Sequence, residues 1–392
     1  MDDHNLENLE KFIRRFVILP HETDYALATL WVAHTYFTDQ IKTTMRLAII
    51  SPEYGCGKSR FLEVLEALCY KGKKLDHFTR SYLMRTVDIT RKETGKPPTL
   101  LVDELDTKWG SKSEEADALR AFTNTGYRDA GVYGITEGEG NNRKPTDFKT
   151  FAPMALAGKG EIIPESVKQR GVIIRLQKRS GTQYIEDFLN ETVSIEAEEV
   201  REGLVQWSDQ NKGSIAFLKP EVPVTDRSRE VWLPLFLVAE LAGQEWIAKA
   251  LESLSHHQSV TSSDPVSRER QLLIDIRKVW NGTEEKMRSK DIVSNLCNLP
   301  ESEWSFYSYG KPISEKGMAK KLRPYEITPK NLRFGSETFK GYLLYEVEKA
   351  LANYAPVPIE GATEATSATE EEFALLDVAE VSGVTALQMG AD

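Results

Sequence analysis

The stretch of this sequence best suited to chemistry is a glycine-containing loop, SPEYGCGKS, at residues 51–59. An apolar run precedes it and an amphipathic run follows it, which predicts a strand, a loop and a helix in that order. Glycines would let backbone N–H groups converge on a phosphate at the helix N-terminus. The lysine would contact the β and γ phosphates of ATP, and the serine would offer its hydroxyl to Mg²⁺. The predicted nucleotide-binding residues are Gly55, Cys56, Gly57, Lys58 and Ser59.

One position departs from the usual phosphate-loop pattern. That pattern has a glycine five residues before Gly57, where this chain has Pro52. The strand before the loop and the helix after it supply the context that distinguishes a phosphate loop from a chance Gly-Lys-Ser. We therefore favour a phosphate loop over a plain glycine-rich turn.

A second apolar run, LLVDELD at residues 100–106, ends in two adjacent carboxylates. Asp103 is predicted to hold Mg²⁺ through water, and Glu104 to polarise the water that attacks the γ-phosphate. An apolar run ending in Asp-Glu is by itself more often a strand edge, but this one follows Ser59 by 44 residues (103 minus 59). Asp106 is interpreted as a surface residue or a helix cap.

Hydrolysis also needs positive charge beside the γ-phosphate, which a neighbouring subunit often supplies as an arginine. Arg170 lies in IPESVKQRG, a short predicted helix before the last core strand, and is the first candidate. The alternative is a solvated arginine at a helix end. Arg175 and Arg179 are weaker candidates, because the alternation around them fits the polar face of a strand. The predicted catalytic set is Lys58, Glu104 and Arg170.

Arg227, in TDRSREVW, opens a later predicted helix with Thr225 or Asp226 as its cap. There it could contact the nucleotide and couple the state of the nucleotide to the position of the lid. A pair with Glu230 within the helix is the alternative.

Two basic segments suit a nucleic-acid partner. Arg143 and Lys144 lie in GEGNNRKPTD, a predicted hairpin tip that in a ring would point into the channel and hold a phosphate backbone. Most basic hairpin tips are merely solvated, which is the alternative. In the C-terminal segment, where basic residues lie near aromatic ones, the predicted DNA-binding residues are Lys320, Lys321 and Arg323.

The acidic balance of the chain is mostly a property of its C-terminus. There are 50 Lys and Arg against 60 Asp and Glu, a formal charge of -10. Residues 356–392 hold eight acids and no Lys or Arg, which leaves -2 for the rest. A nucleic-acid partner is therefore not excluded. The tail is predicted to be disordered, either inert or a short segment that binds a replication partner.

Two further expectations concern the environment of the protein. No run of about eighteen apolar residues is present, and the N-terminus lacks a basic region followed by an apolar one. We therefore expect a cytoplasmic protein with no membrane partner. Cys56, Cys69 and Cys297 lack the spacing of a zinc or redox pair and are expected to be reduced thiols.

Strand-like and helix-like runs alternate between residues 45 and 180, which predicts a doubly wound α/β core. Helical spacing at 2–16 and 22–42 precedes it, and the polar stretch SHHQSVTSSDPVS, which contains His256 and His257, is interpreted as a linker. The predicted domains are a helical lead at 1–44, an ATPase core at 45–180, a helical lid and linker at 181–266, a winged-helix-like domain at 267–355 and the tail at 356–392.

Several of these segments together resemble the AAA+ ATPases of phages and bacteria that contain a domain of unknown function. That family is often fused to, or encoded beside, primase and helicase modules. The resemblance covers roughly residues 10–355 and includes LAIISPEYGCGKSRFLEVLEAL, LLVDELD, FAPMALAGKGEIIPESVKQRGVIIRLQKR and DRSREVWLPLFLVAELAG. It implies an α/β fold of the AAA+ (ASCE) type, a P-loop parallel sheet with an inserted β-hairpin, a helical lid and a C-terminal winged-helix-like domain.

The resemblance also implies roles for individual residues. Arg170 would be the arginine finger and Arg227 the lid sensor. AAA+ proteins usually carry a polar sensor residue on the strand before the finger helix, but here that strand ends in LAGK. Lys159 is the available substitute.

Two functions follow as hypotheses. The first is an oligomeric, ATP-driven translocase or helicase in phage-type DNA replication, working as a ring, expected to be a hexamer, on single-stranded or forked DNA. The second is an ATP-gated adaptor or helicase loader that uses hydrolysis only for release. A protein remodeller would need an aromatic pore loop, which is not seen at the hairpin tip.

Overall fold

A computed structural model describes residues 5–109, 111–137, 144–160, 163–188, 191–263, 268–280, 284–300, 302–307 and 311–354. The chain divides into two compact units, Met1–Ser263 and Asp264–Asp392, and each is described by itself. The predicted DNA-binding residue Arg143 and the acidic tail at 356–392 lie outside the described residues.

The first unit is built around a parallel sheet of five strands with a separate hairpin. The order across the sheet is β2-β3-β6-β1-β7, and β4 pairs antiparallel with β5. Alternate residues of β1 enter two different cores, one on each face of the sheet, which is why this strand is a continuous apolar run in the sequence. The strands are β1 (Arg46–Ser51), β2 (Gly72–Leu75), β3 (Thr99–Val102), β4 (Val132–Glu137), β5 (Lys144–Lys149), β6 (Met154–Lys159) and β7 (Gly171–Arg175).

Helices cover both faces of this sheet. Residues of α4 and α6 contribute to one core, and residues of α1, α2, α3 and α8 to α10 contribute to the other. The helices are α1 (Asn5–Phe16), α2 (Glu22–His34), α3 (Lys58–Leu68), α4 (Arg80–Thr94), α5 (Leu105–Trp109), α6 (Glu114–Thr125), α7 (Glu165–Lys168), α8 (Glu191–Gln210), α9 (Asp226–Ala242) and α10 (Gln244–Ser263).

Two sequence assignments in this unit are wrong in their boundaries. The helix predicted at 22–42 ends at His34 and continues only as a short 3₁₀ turn. The run FKTFAPMALAG, which the sequence predicts as one strand, contributes to two, because β5 pairs with β4 while β6 joins the main sheet between β1 and β3.

The prediction of a linker at the polar stretch is also wrong, because this stretch continues α10 to Ser263. His257 is buried, and its Nε2 lies 3.1 Å from Asp24 Oδ1 at the start of α2. The ring of His256 stacks on that of His21 with centroids 3.9 Å apart. Polar side chains thus form a packed helix face, which apolar periodicity does not reveal.

The second unit is smaller and has its own hydrophobic core around Trp280, Trp304 and Tyr342. Its three strands form an antiparallel sheet in the order β8-β10-β9. The Trp304 indole donates to the buried Asp275 carboxylate, with Nε1 and Oδ2 2.9 Å apart. The elements are α11 (Arg268–Val279), β8 (Lys286–Arg288), α12 (Ser289–Cys297), α13 (Glu315–Leu322), β9 (Lys330–Phe334), β10 (Glu337–Leu343) and α14 (Leu344–Tyr354).

No helix within the described ranges is long and apolar enough to cross a membrane. Cys56, Cys69 and Cys297 are free thiols. Cys69 is buried, and this burial raises the pKa of its thiol.

His34 makes the first unit sensitive to acid. Its fully buried imidazole donates from Nδ1 to the Trp31 carbonyl and accepts at Nε2 from Thr44 Oγ1, 2.7 Å away. Burial is the main cause that lowers the pKa of His34 to about 4; the hydrogen bond to the Trp31 carbonyl opposes this effect, and the Arg46 charge adds to it. The unfolded imidazole binds a proton below about pH 6.5, where the folded one does not, so stability is lost as the pH falls from about 6.5 towards 4.

We expect this residue to lower the free energy of unfolding by about 2 kcal/mol between pH 7 and pH 5. Urea unfolding of the first unit, followed by tryptophan fluorescence, measures this difference. His34→Gln should reduce the pH dependence by that amount, whereas His77→Gln, at an exposed histidine, should not change it. An unaltered pH dependence in His34→Gln would contradict the expectation.

Candidate functional site

The glycine-containing loop lies at the carboxyl end of β1 and leads directly into α3. Gly55 and Gly57 have φ angles of +75° and +90°, a region that favours glycine. Pro52 is not among the residues with positive φ, so its ring is compatible with the loop despite the departure from the usual pattern. No side chain of the described residues caps the start of α3, which leaves its first N–H groups available to an anion.

The Lys58 ammonium is held against the loop by neutral groups. Nζ donates to Ser51 Oγ at 2.5 Å and to the Glu53 carbonyl at 3.4 Å. The Ser51 hydroxyl in turn donates to the same carbonyl at 2.6 Å. Because these two partners carry no formal charge, neither of them neutralises the ammonium that would bind a phosphate.

Ser59 and Asp103 meet at the carboxyl end of the sheet. Ser59 Oγ donates to Asp103 Oδ2 at 3.0 Å, although β6 separates the strands that deliver them. A hydroxyl and a carboxylate are the hard oxygen donors that Mg²⁺ prefers, so the pair fits this ion. A group of three or more His, Cys, Asp or Glu is not found among the described residues, so Mg²⁺ here would rely on phosphate oxygens and water for its other ligands.

Glu104 adopts a strained backbone conformation next to this pair. Its φ is +57°, which costs a non-glycine residue about 1 kcal/mol. Its N–H donates to Asp103 Oδ1 at 2.8 Å, and its own side chain is 64% exposed. Strained residues of this kind cluster at functional sites. The exposed carboxylate is accessible to a substrate water.

Lys108 holds the two acids in place and was missed by the sequence analysis. Nζ donates to the Asp103 carbonyl at 2.6 Å and lies 3.9 Å from Glu104 Oε2. The side chain is only 12% exposed. The four-residue spacing from Glu104 was the available signal for the approach of these two side chains, but not for the bond to the Asp103 carbonyl.

Lys159 reaches the same edge from β6. Its ammonium lies 4.2 Å from the centroid of the Tyr54 ring, within the loop. Asp106 Oδ1 accepts from the Lys159 N–H at 2.9 Å. The interpretation of Asp106 as a surface or cap residue is therefore wrong, because it connects α5 to the end of β6. Lys159 thus lies at the same edge of the sheet as the loop.

Arg170 lies at the opposite, amino end of the sheet. Its carbonyl accepts from the Arg46 N–H at 3.0 Å, one residue before β7. Its Nη1 donates to the Ser166 carbonyl at 2.9 Å, and its guanidinium lies 5.3 Å from the Tyr127 ring centroid. The length of β1, roughly 17 Å, separates Arg170 from the phosphate loop of its own chain. Arg170 therefore lies at the other edge of the sheet from the phosphate loop of its own chain.

A second arginine, Arg46, is fully buried behind Arg170. Its guanidinium donates to the Phe122 and Ala152 carbonyls at 2.7 Å each and to the Thr123 carbonyl at 3.2 Å. Two of these carbonyls belong to the last turn of α6, whose dipole favours a cation there. Burial, and then the Arg170 charge, lower the pKa of Arg46 to about 9.

Arg227 also lies at the amino end of the sheet. Its Nη1 donates to Gln169 Oε1 at 3.0 Å, directly beside Arg170. Glu230 binds Arg128 instead of Arg227, so the alternative interpretation of Arg227, a pair with Glu230 within the helix, is wrong. The structure does not bring Arg227 to the phosphate loop of its own chain. Sequence analysis missed Gln169, which carries no signal of this contact.

The predicted DNA-binding residues differ in accessibility. Lys144 begins β5 and is exposed. In the second unit, Lys320 and Arg323 are exposed near the end of α13, while Lys321 forms a 2.5 Å ion pair with Glu269. Lys321 would have to leave this pair to contact a phosphate.

Comparisons with known proteins agree with the resemblance to a domain of unassigned function. A family described as a protein of unknown function (DUF3631) matches residues 175–354, which include the helical region and most of the second unit. An uncharacterized 28.9 kDa protein in the xis 5' region of Saccharopolyspora erythraea is 27% identical over 156 residues. That alignment covers 39% of this chain and 58% of the relative, less than two thirds of its length.

Among solved structures, the apo A form of the NrS-1 C-terminal region is similar at a TM-score of 0.37 and 14% sequence identity. The alignment covers 87% of this chain and 74% of the other. This TM-score is too low for the similarity to bear on the fold or the function.

Proposed function

We propose that this protein binds ATP with Mg²⁺ and hydrolyses it, and that a second copy of the chain completes each active site. The observation that most directly supports this is the 3.0 Å hydrogen bond between Ser59 Oγ and Asp103 Oδ2. It joins the loop hydroxyl to the acid that would hold Mg²⁺ through water. Mg²⁺, when bound, would neutralise charge on the phosphate oxygens.

Each side chain of the carboxyl edge has a defined part in the proposed reaction. Lys58 would exchange its contacts with Ser51 and Glu53 for the β and γ phosphates. Glu104 would orient the water whose oxygen bonds to the γ-phosphorus as the bond to the β–γ bridging oxygen breaks. The water proton would pass through Glu104 to solvent, and ADP and inorganic phosphate would leave. Lys108 would hold Glu104 beside Asp103.

A head-to-tail ring accounts for the position of Arg170. In such a ring the amino edge of one sheet can face the phosphate loop of the next copy. Arg170 is about one strand length from its own loop but only half-buried, so it is available to a neighbour. Its guanidinium would stabilise the charge that develops on the transferred phosphoryl group.

The topology supports a fold of the AAA+ (ASCE) type. β6 lies between the loop strand β1 and the acid strand β3, and the β4–β5 hairpin is inserted between α6 and β6. In the second unit, the order α11-β8-α12-α13-β9-β10 with a three-stranded antiparallel sheet supports a winged-helix-like domain.

We propose further that hydrolysis drives movement on DNA during replication. Lys144 on the hairpin and Lys320 and Arg323 near the end of α13 are exposed cations suited to phosphate contacts that do not read sequence. This proposal depends on the ATPase proposal, because movement needs hydrolysis. An ATP-gated adaptor is the alternative that the experiment must separate from it.

The test of the ATPase proposal is the rate of phosphate release with and without Mg²⁺, single-stranded DNA and duplex DNA. We expect Mg²⁺-dependent hydrolysis that DNA stimulates, and ring assemblies by mass photometry with a non-hydrolysable ATP analogue. Lys58→Ala should abolish hydrolysis, whereas Lys11→Ala, at an exposed lysine of α1, should not. Hydrolysis that survives Lys58→Ala would contradict the proposed site.

The test of movement is strand displacement on a forked duplex. The double variant Arg143→Ala/Lys144→Ala should lose displacement while keeping basal hydrolysis. Normal displacement by this variant would contradict a role for the hairpin. No displacement by the wild type, with a stable DNA complex in Glu104→Gln, would instead favour the adaptor.

A further inference from the structure

We propose that Arg227 acts on ATP held by a second copy of this chain, beside Arg170, and that Gln169 is the residue that positions it. This inference deepens the proposed ATPase function and rests on it. It also departs from the sensor role within the same chain that the resemblance implies for Arg227. The ligand at this surface would be the terminal phosphate of a nucleoside triphosphate.

The contact that carries the inference is between α9 and the segment before β7. Arg227 Nη1 donates to Gln169 Oε1 at 3.0 Å, and Gln169 immediately precedes Arg170. The Gln169 amide nitrogen lies 3.4 Å from Glu165 Oε1, so this side chain is held from both ends. Arg227 is thereby held at the amino edge of the sheet by the residue that immediately precedes Arg170.

The first turn of α9 is anchored to this edge by a second set of contacts. The Glu230 carbonyl accepts from Thr43 Oγ1 at 3.0 Å, just before β1. The Glu230 carboxylate binds Arg128, which follows α6. Arg227 can therefore approach its own phosphate loop only if α9 leaves both Gln169 and this anchor.

The start of α9 is strained. Asp226 has a φ of +53°, and Thr225, at the cap position, makes no side-chain hydrogen bond to the helix start among the described residues. Thr225 thus occupies the predicted cap position, but its side chain does not cap the helix. A non-glycine residue in this conformation costs about 1 kcal/mol, and such residues persist where the surroundings hold them. Here the contacts of Arg227 and Glu230 hold the turn.

The charge at this edge matches a polyphosphate. Arg46 is buried behind Arg170, and its guanidinium donates to three backbone carbonyls. The nearby Glu230 carboxylate is already paired with Arg128. The exposed Arg227 and the half-buried Arg170, with the buried charge of Arg46 behind Arg170, therefore favour an anion at this edge. Each planar guanidinium suits two oxygens of a phosphate.

The test is a mixing experiment between two inactive variants. Arg227→Ala keeps the phosphate loop, and we expect it to lower hydrolysis by roughly 10²-fold. Lys58→Ala lacks a working loop but keeps every arginine. In 1:1 mixed rings, hydrolysis should recover to about a quarter of the wild-type rate. This is the fraction of sites at which the intact loop of one chain faces the intact Arg227 of its neighbour. No recovery would overturn the inference.

Two controls separate failure of this inference from failure of the proposed function. A mixture of Arg170→Ala and Lys58→Ala should also recover ATP hydrolysis. If this mixture recovers hydrolysis and the Arg227→Ala mixture does not, Arg227 acts on the nucleotide of its own chain. Absence of hydrolysis by the wild type would overturn the proposed function itself. Arg229→Ala, at an exposed arginine of the same turn, should hydrolyse ATP normally. Mass photometry with a size-tagged Lys58→Ala chain verifies that mixed rings form.

Gln169→Ala tests the positioning role. It should lower kcat without raising KM for ATP, because the residue would orient Arg227 and would not touch the substrate. Its hydrolysis should recover on mixing with Lys58→Ala, which a general loss of folding would not allow. A KM effect that mixing does not relieve would contradict this role.

Discussion

Arg170→Ala should lower the rate of ATP hydrolysis by roughly 10³- to 10⁵-fold, because it would remove the positive charge beside the γ-phosphate. Nucleotide binding should change little, since the residue lies about a strand length from its own phosphate loop. Single-turnover hydrolysis and equilibrium binding of a fluorescent ATP analogue separate the two effects.

The matched control is Arg179→Ala, at an exposed arginine just beyond β7 that was a weaker candidate. It should hydrolyse ATP at the wild-type rate. Arg170→Lys keeps the charge and loses the planar fork, so it should recover only part of the rate. Full activity in Arg170→Ala would contradict both its role and the need for a neighbour.

Glu104→Gln should lower kcat by roughly 10²- to 10⁴-fold, because an amide cannot accept the proton of the attacking water. Binding should persist, since the loop residues and the Ser59–Asp103 contact do not depend on the Glu104 charge. The expected result is a stable complex with ATP, measured as unhydrolysed nucleotide retained after gel filtration.

Glu93→Gln, at an exposed acid of α4, is the control and should keep normal turnover. Turnover by Glu104→Gln within about threefold of the wild type would mean that another group orients the water. Loss of binding together with turnover would show that the substitution disturbs the Asp103 side of the site instead.

The carboxyl edge of the sheet could be predicted largely from sequence. The strand, the loop and the helix are consecutive in the sequence, so the residues that flank SPEYGCGKS were enough to predict the structure around it. The pairing of Ser59 with Asp103 follows because parallel strands in this fold end at the same edge. Lys108 was not predicted, because its contact to the Asp103 carbonyl depends on the left-handed conformation of Glu104. Glutamate is not a residue type that indicates this conformation.

The helical region was predicted less well. α10 was ended too early because His256 and His257 look like linker residues until their partners His21 and Asp24 are known. Those partners lie more than two hundred residues away in the chain, so no local pattern contains them. Apolar periodicity finds apolar faces, and this face is polar.

The sequence by itself determined which chemistry is proposed for the site, because residue types suited to phosphate and Mg²⁺ lie in short segments with recognisable flanks. Only the tertiary structure decided which edge of the sheet each arginine occupies. Arg170 and Arg227 are far apart in the chain, and the contact of Gln169 with α9 brings them together. Strand direction then places them about one strand length from the loop of their own chain. The proposal that a neighbouring copy completes each site rests on that distance.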